Sequence, residues 1–258
     1  MIYMKNIGIF GFGNMGKAIF ELLKNEKDFR FFINSLRKVK VSKAKWRDSL
    51  EELIKSSDLI FICVKPQNFR ELEGIEAKNK TIISIMAGIT LQELSQKFKG
   101  AKVIRTMPNL PLQIGEGVIA WYYQKDKFKS KESNMIRKIL SSFGKLVLLK
   151  KENDIHSLTA IAGCGPAYVF SFLNALIKSA MDLGFTKKEA KLIVDATVSG
   201  SLYYYRSQDL EPDELIKMIS SKKGITEQAL KELDLKKFYN TWGRVTKRAY
   251  QRSKEMGR

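Results

Sequence analysis

Gly11-Phe12-Gly13-Asn14-Met15-Gly16 fits the spacing G-x-G-x-x-G. The apolar run 5–10 precedes it, and in 17–24, which follows, Ala18, Ile19, Leu22 and Leu23 repeat at helical spacing. Strand, glycine turn and helix in that order form the first β–α unit of a dinucleotide-binding fold. Gly11 permits the tight turn, Gly13 lets backbone come close to a pyrophosphate, and Gly16 lets helix and strand pack closely. The helix that follows offers free N–H groups and a partial positive charge to an anion. The same spacing alone would describe any glycine-rich turn; its place at the first strand-to-helix junction gives it chemical meaning.

Outward from this turn the chain alternates. Strands are expected at 29–33, 59–64, 82–86 and 102–105, with further sheet segments at 118–122 and 146–149. Helices are expected at 50–55 and 91–98, the second opened by Thr90 as N-cap with Glu93 three residues on. Such alternation predicts an α/β domain with a Rossmann-type, doubly wound, mostly parallel sheet. After about residue 151 the apolar spacing turns helical throughout, with helices expected at 166–183, 187–205, 212–219, 226–233 and 238–255. Pro166 stands in the first turn of the first of these and Gly184 just past its end. The expected division is a nucleotide-binding domain over 1–151 and an all-helical domain over 152–258.

The end of the second strand selects the dinucleotide. An NAD site usually carries Asp or Glu there, about 20 residues beyond the glycines, on the ribose 2′-hydroxyl. This chain has Ile33-Asn34-Ser35-Leu36-Arg37-Lys38, without an acid to repel a 2′-phosphate. Ser35 can donate a hydrogen bond, Arg37 a charge-assisted and bidentate one, and Lys38 adds a point charge. NADP(H) is therefore the preferred cofactor, with NAD(H) second; the plainer alternative is a solvated basic loop.

Composition narrows the class. With 44% hydrophobic and 28% charged residues the chain is globular rather than fibrous or disordered. Lys plus Arg number 46 against 27 Asp plus Glu, a formal charge of +19. That excess invites a nucleic-acid reading, but the cations are spread along the chain among acids with no recognisable binding motif, so neither a nucleic-acid nor a membrane partner is expected. Two cysteines, Cys63 and Cys164, make no disulfide framework or metal spacing, and one histidine, His156, makes no metal cluster. No metal is expected. The opening MIYMKNIGIF does not read as a signal peptide, and no apolar run is expected to reach about 18 residues, so no transmembrane helix is expected. A cytoplasmic protein is expected.

Further tight segments follow the later strands: Val64-Lys65-Pro66, Ser84-Ile85-Met86-Ala87-Gly88 and Arg105-Thr106-Met107-Pro108-Asn109-Leu110-Pro111. Then come residues 152–159, Gly163-Cys164-Gly165-Pro166-Ala167-Tyr168, Ala196-Thr197-Val198-Ser199-Gly200, Ser221-Lys222-Lys223-Gly224-Ile225-Thr226 and Arg252-Ser253. In this order, over nearly the whole chain, they resemble the pyrroline-5-carboxylate reductase family. The resemblance implies an N-terminal Rossmann domain, a C-terminal all-helical dimerisation domain, and a homo-oligomer, a dimer or a larger ring. It implies NADPH-dependent reduction of 1-pyrroline-5-carboxylate to proline, with Val64, Lys65, Pro66, Ala87, Gly88, Met107, Pro108 and Asn109 beside the cofactor. It also implies that Thr226 hydrogen-bonds the ring nitrogen, while Ser221 and the N–H groups of Gly224 and Ile225 hold the substrate carboxylate.

One departure stands out. The family commonly has Ser-Pro-Gly-Gly at the carboxylate loop, and here Lys222 and Lys223 replace the Pro and the first Gly. Rival readings are a nucleic-acid-binding regulatory protein that keeps the fold, a related NADP-dependent imine reductase, or a hydroxyacid dehydrogenase of the same plan. The last places a catalytic lysine shortly after a G-x-G element, whereas Gly163-Cys164-Gly165 is followed by Pro166-Ala167-Tyr168-Val169-Phe170. If Arg37 reads the 2′-phosphate, Arg37→Ala weakens NADPH relative to NADH by about tenfold, the worth of one charge-assisted hydrogen bond. Titration of both nucleotides checks this; an unchanged ratio removes the assignment.

Overall fold

In the computed structural model, which describes residues 5–256, the chain divides into two compact units. One runs to Pro166 and takes in the chain from Ala249 onward; the other is Ala167–Arg248. The first holds β1 (Asn6–Phe10), β2 (Arg30–Asn34), β3 (Ala44–Trp46), β4 (Leu59–Ile62), β5 (Ile75–Glu76), β6 (Thr81–Ser84), β7 (Phe98–Lys99), β8 (Lys102–Met107), β9 (Gly117–Tyr123) and β10 (Gly144–Leu148). Eight strands form one sheet in the order β10-β9-β8-β6-β4-β1-β2-β3, while β5 and β7 pair separately. Within the large sheet only the β8–β9 pairing is antiparallel. Strand order reverses at β1, with β2 on one side and β4 on the other. A crevice opens at that point, outside the C-terminal ends of the strands.

The helices of this unit are α1 (Asn14–Leu23), α2 (Leu50–Ser56), α3 (Pro66–Arg70), α4 (Leu91–Lys97), α5 (Ser130–Ser141) and α6 (Asp154–Leu158). Side chains of a strand alternate between faces, so each strand feeds two cores. Leu59 and Phe61 join Ile7, Ile9, Ile83 and Ile104 with Ile19, Phe20 and Leu23 of α1 and Ile136 and Ile139 of α5. Ile60 and Ile62 join Phe32, Ile82 and Val103 with Leu53 of α2, Phe69 of α3 and Leu94 of α4. Burial on both faces explains why the central strands are continuous apolar runs. Thr90 and Glu93 make the expected reciprocal cap on α4.

Some elements lack a local signature. β3 lies inside the basic stretch 37–47, and α5 opens on Ser130, Lys131, Glu132, Ser133 and Asn134, burying only Ile136, Ile139 and Leu140. β4 ends at Ile62 rather than Val64, where the chain swings past Gly11. The helical composition begins near residue 151, yet 152–166 stays with the sheet, because Ile155 packs with Ala120 and Leu149.

The second unit is drawn from α7 (Gly165–Asp182), α8 (Lys187–Ser207), α9 (Pro212–Ile219), α10 (Ile225–Leu233) and α11 (Leu235–Met256), the ends of α7 and α11 lying in the first unit. Among the described residues α7, α9, α10 and α11 bury none, and α8 buries only Ala190 and Val194. Large apolar side chains stand exposed, including Val169, Phe170, Phe172, Leu192, Tyr203 and Tyr204. The stretch Asp154–Asp182 is long and apolar enough to cross a membrane by length and composition, with a mean hydropathy of 1.6 over its best 18 residues. Polar Asn174 and Lys178 interrupt it.

The last turns of α11 pack within the first unit. His156 Nδ1 lies 2.9 Å from Ser253 Oγ, and its ring meets the Tyr250 ring edge-on at 6.5 Å. Burial first, then the positive charges of Arg105 and Lys254, hold this imidazole below its ordinary 6.5, against the pull of Glu152. A folded-state value below the unfolded one means that the unfolded chain takes up the proton first, so stability falls as pH drops through the ordinary imidazole range. His156 is the chain's one histidine, so melting scans from about pH 7.5 to 5.5 isolate it. The wild-type melting temperature declines over that window, and His156→Gln flattens the decline; equal slopes would refute the assignment.

Candidate active site

Three parts of the chain converge at the crevice. Gly11 follows β1 with φ +94°, and its N–H donates to Asn34 O at 2.8 Å. A Cβ on Gly11 would stand 2.8 Å from the Cys63 carbonyl carbon and 2.9 Å from Val64 Cγ1, so no side chain fits. A Cβ on Gly16 would stand 2.1 Å from Gly11 O. Gly13 differs: a Cβ there would meet nothing within 4 Å, and the residue is exposed. The glycines at either end are required by the fold itself, whereas Gly13 leaves open space beside the turn. Gly13 is also the N-cap of α1, with no side chain capping the helix and no acid in its first turn. An uncapped, acid-free helix start beside open space suits a phosphate.

Ser35 closes the end of β2 onto this turn, its Oγ accepting from Phe12 N–H at 3.2 Å. Arg37 is exposed, with no hydrogen-bond or ion-pair partner among the described residues. Lys38 lies 3.5 Å from Asp48 Oδ1 and 5.9 Å from the Trp46 ring centroid. Two other cations of the basic stretch point elsewhere: Arg47 stacks on Phe32 and donates to Ser56 Oγ, and Lys43 Nζ donates to Asn25 Oδ1. Arg37 and Lys38 stand nearest the end of β2, with Lys40 and Lys45 further along the same stretch.

Val64 packs beside Gly11, while exposed Lys65 and then Pro66 open α3. Burial pushes the neighbouring Cys63 thiol up, away from thiolate chemistry. Ala87 and Gly88 follow β6. Gly88 has φ +74°, and a Cβ there would stand 2.4 Å from Met256 O, so the end of α11 lies directly against it. Arg70 Nη2 donates to the same Met256 carbonyl at 3.3 Å.

Met107 ends β8, and Pro108 and Asn109 follow it. Asn109 Oδ1 accepts from Val118 N–H at 2.8 Å, and its Nδ2 donates to Ala162 O at 3.0 Å. Its amide is committed to joining β9 to the π turn Thr159–Gly163, which makes it a wall residue. That turn closes with Cys164 N–H donating to Thr159 O. Local sequence gave no sign of the ion pair below it. Arg105 Nη1 lies 2.8 Å from Glu152 Oε1, which also accepts from Leu91 N–H at 2.8 Å. Arg105 is nearly fully buried, so loss of Glu152 would strand a charge in the core.

Ser221, Gly224, Ile225 and Thr226 come together at the start of α10, in the other unit. Gly224 N–H donates to Ser221 O at 2.9 Å, closing a turn over Lys222 and Lys223. That donor, expected to face a carboxylate, is engaged by the turn. Ile225, first in α10 and exposed, has no acceptor for its N–H within the helix. Lys223 has φ +62°, a left-handed conformation that costs a side-chain-bearing residue about 1 kcal/mol. A Cβ on Gly224 would stand 2.9 Å from the Ser221 backbone oxygen and 2.3 Å from its Oγ, so a side chain there would force the turn to shift.

Comparison with known proteins agrees with this anatomy. Residues 152–256 match a family described as pyrroline-5-carboxylate reductase dimerisation, and residues 6–88 match one described as NADP oxidoreductase coenzyme F420-dependent. Pyrroline-5-carboxylate reductase of Aquifex aeolicus is 31% identical over 99% of both chains. The structure of pyrroline carboxylate reductase from Plasmodium falciparum with NADP bound superposes with a TM-score of 0.86 at 29% identity, covering 98% of each chain. That of 1-pyrroline-5-carboxylate reductase from Streptococcus pyogenes gives 0.87 at 29% identity, covering 97% of this chain and 98% of the other. The match runs through both halves at nearly full length, and the chain belongs to the pyrroline-5-carboxylate reductase family.

Proposed function

We propose that this protein reduces 1-pyrroline-5-carboxylate to proline with NADPH, acting as a homo-oligomer. The observation that carries the reading is the uncapped glycine turn beside an acid-free β2 end, in a chain that matches reductases of this family along its full length. Bound NADPH would supply the hydride that reduces the imine carbon. Gly11, Phe12, Gly13, Asn14, Met15 and Gly16 would hold its pyrophosphate, and Ser35, Arg37 and Lys38 its 2′-phosphate. Val64, Lys65, Pro66, Ala87, Gly88, Met107, Pro108 and Asn109 would line the remainder.

The chain's own work is orientation. Ser221 and the Ile225 N–H at the start of α10 bind the substrate carboxylate, where the helix dipole favours an anion; the Gly224 N–H, engaged by the turn, is left out of that role. Thr226 hydrogen-bonds the ring nitrogen, fixing which face of the ring is offered. An imine that carries a proton accepts hydride more readily, and the Thr226 hydroxyl holds that proton in place. Residues 1–151 serve as the nucleotide domain and 152–258 as the dimerisation and substrate domain. A second subunit covers the exposed apolar faces of α7 and α8, which explains their composition without a lipid phase; the assembly is a dimer or a ring of dimers. The setting is cytoplasmic, in keeping with two free cysteines.

The test follows NADPH absorbance with 1-pyrroline-5-carboxylate, with NADH in place of NADPH, and with a six-membered cyclic imine acid. Rapid loss with the five-membered ring and NADPH is expected. Thr226→Ala lowers turnover by about tenfold or more, as loss of a hydrogen bond to a charged group implies. Normal turnover in that variant removes the role given to the hydroxyl, and no oxidation with the five-membered ring removes the activity.

A further inference from the structure

Pro and Gly, which the family commonly has where Lys222 and Lys223 stand, suit the two central positions of a β-turn whose second residue has positive φ. Here the turn persists without them: Gly224 N–H still reaches Ser221 O at 2.9 Å, and Lys223 takes φ +62°. Lysine supplies neither the fixed φ of Pro nor the freedom of Gly, so the conformation must be held from outside the turn. The structure provides one such hold. Lys223 N–H donates to Glu227 Oε2 at 2.5 Å, and Glu227 Oε1 lies 3.5 Å from Lys231 Nζ. Glu227 stands in the first turn of α10, where a carboxylate is favoured by the helix.

We infer that Glu227 is a positioning residue for substrate binding: its carboxylate clamps the Lys222-Lys223 turn in the shape that Pro-Gly would impose. The clamp keeps the Ser221 hydroxyl and the Ile225 N–H directed at the substrate carboxylate. Lys231 offsets the charge of Glu227, so the clamp adds little repulsion toward an anionic substrate. This inference rests on the reading that the turn binds the carboxylate of 1-pyrroline-5-carboxylate.

The test compares wild type with Glu227→Ala, Glu227→Gln, Lys223→Gly and the double variant Glu227→Ala/Lys223→Gly. KM for 1-pyrroline-5-carboxylate is measured at saturating NADPH, and the melting temperature in parallel. Glu227→Ala raises that KM about fivefold, the worth of one net hydrogen bond, with kcat and KM for NADPH little changed. Glu227→Gln, which keeps an acceptor oxygen, shows a smaller rise. In the double variant glycine restores the turn, and KM returns to near the wild-type value. An unchanged KM in Glu227→Ala, or a raised KM that Lys223→Gly fails to rescue, overturns the inference. If wild type leaves 1-pyrroline-5-carboxylate unreduced, the functional reading fails by itself. The melting temperatures then still decide the clamp: a loss in Glu227→Ala recovered by Lys223→Gly supports it, and no loss or no recovery overturns it.

Discussion

One close approach in the nucleotide unit sets the rest: the first turn of α1 lies so near the Gly11 carbonyl that a Cβ on Gly16 would sit 2.1 Å from it. Gly11 is pressed in turn against the backbone of Cys63. These contacts draw β1, β4 and α1 together at the point where strand order reverses. With those elements that close, Ile9 and Phe61 share one core with Ile19 and Phe20. The open space at Gly13 is what remains once both neighbours are locked. The open space and the core packing therefore have a common origin, and a turn that merely satisfied the fold would have no need of glycine at its centre.

Much of this was legible from residue order. Buried central strands of a parallel sheet are apolar along their whole length, and Ile60, Phe61 and Ile62 announce one. The glycine turn and the acid-free Ser35-Leu36-Arg37-Lys38 gave the cofactor its expected chemistry. What stayed hidden depends on partners distant in sequence. β3 is a strand because Phe31, Phe32 and Ile33 offer it an edge, not because Ala44-Lys45-Trp46 has an apolar pattern. Arg105 and Glu152 form their pair from strands and loops that no periodicity connects, and Gly88 needs its small size because Met256 arrives from the far end of the chain. At the turn over Lys222 and Lys223, sequence showed that Pro and Gly were gone, but only the backbone shows that Lys223 keeps the positive φ a glycine would take.

The two units differ in what they bury. The sheet satisfies itself, with alternate residues of every central strand covered from both sides. The helices of 167–248 leave Phe170, Phe172, Leu192 and Tyr203 in solvent, an arrangement that is stable when another apolar face meets it.

The account stands on delivery of hydride to a cyclic imine from a reduced, phosphorylated pyridine nucleotide. The most direct measurement supplies NADPH deuterated at both C4 positions together with 1-pyrroline-5-carboxylate and weighs the product. Proline heavier by one mass unit, with the label on the former imine carbon, is the predicted result. Unlabelled proline, or no proline with the nucleotide unconsumed, would contradict it.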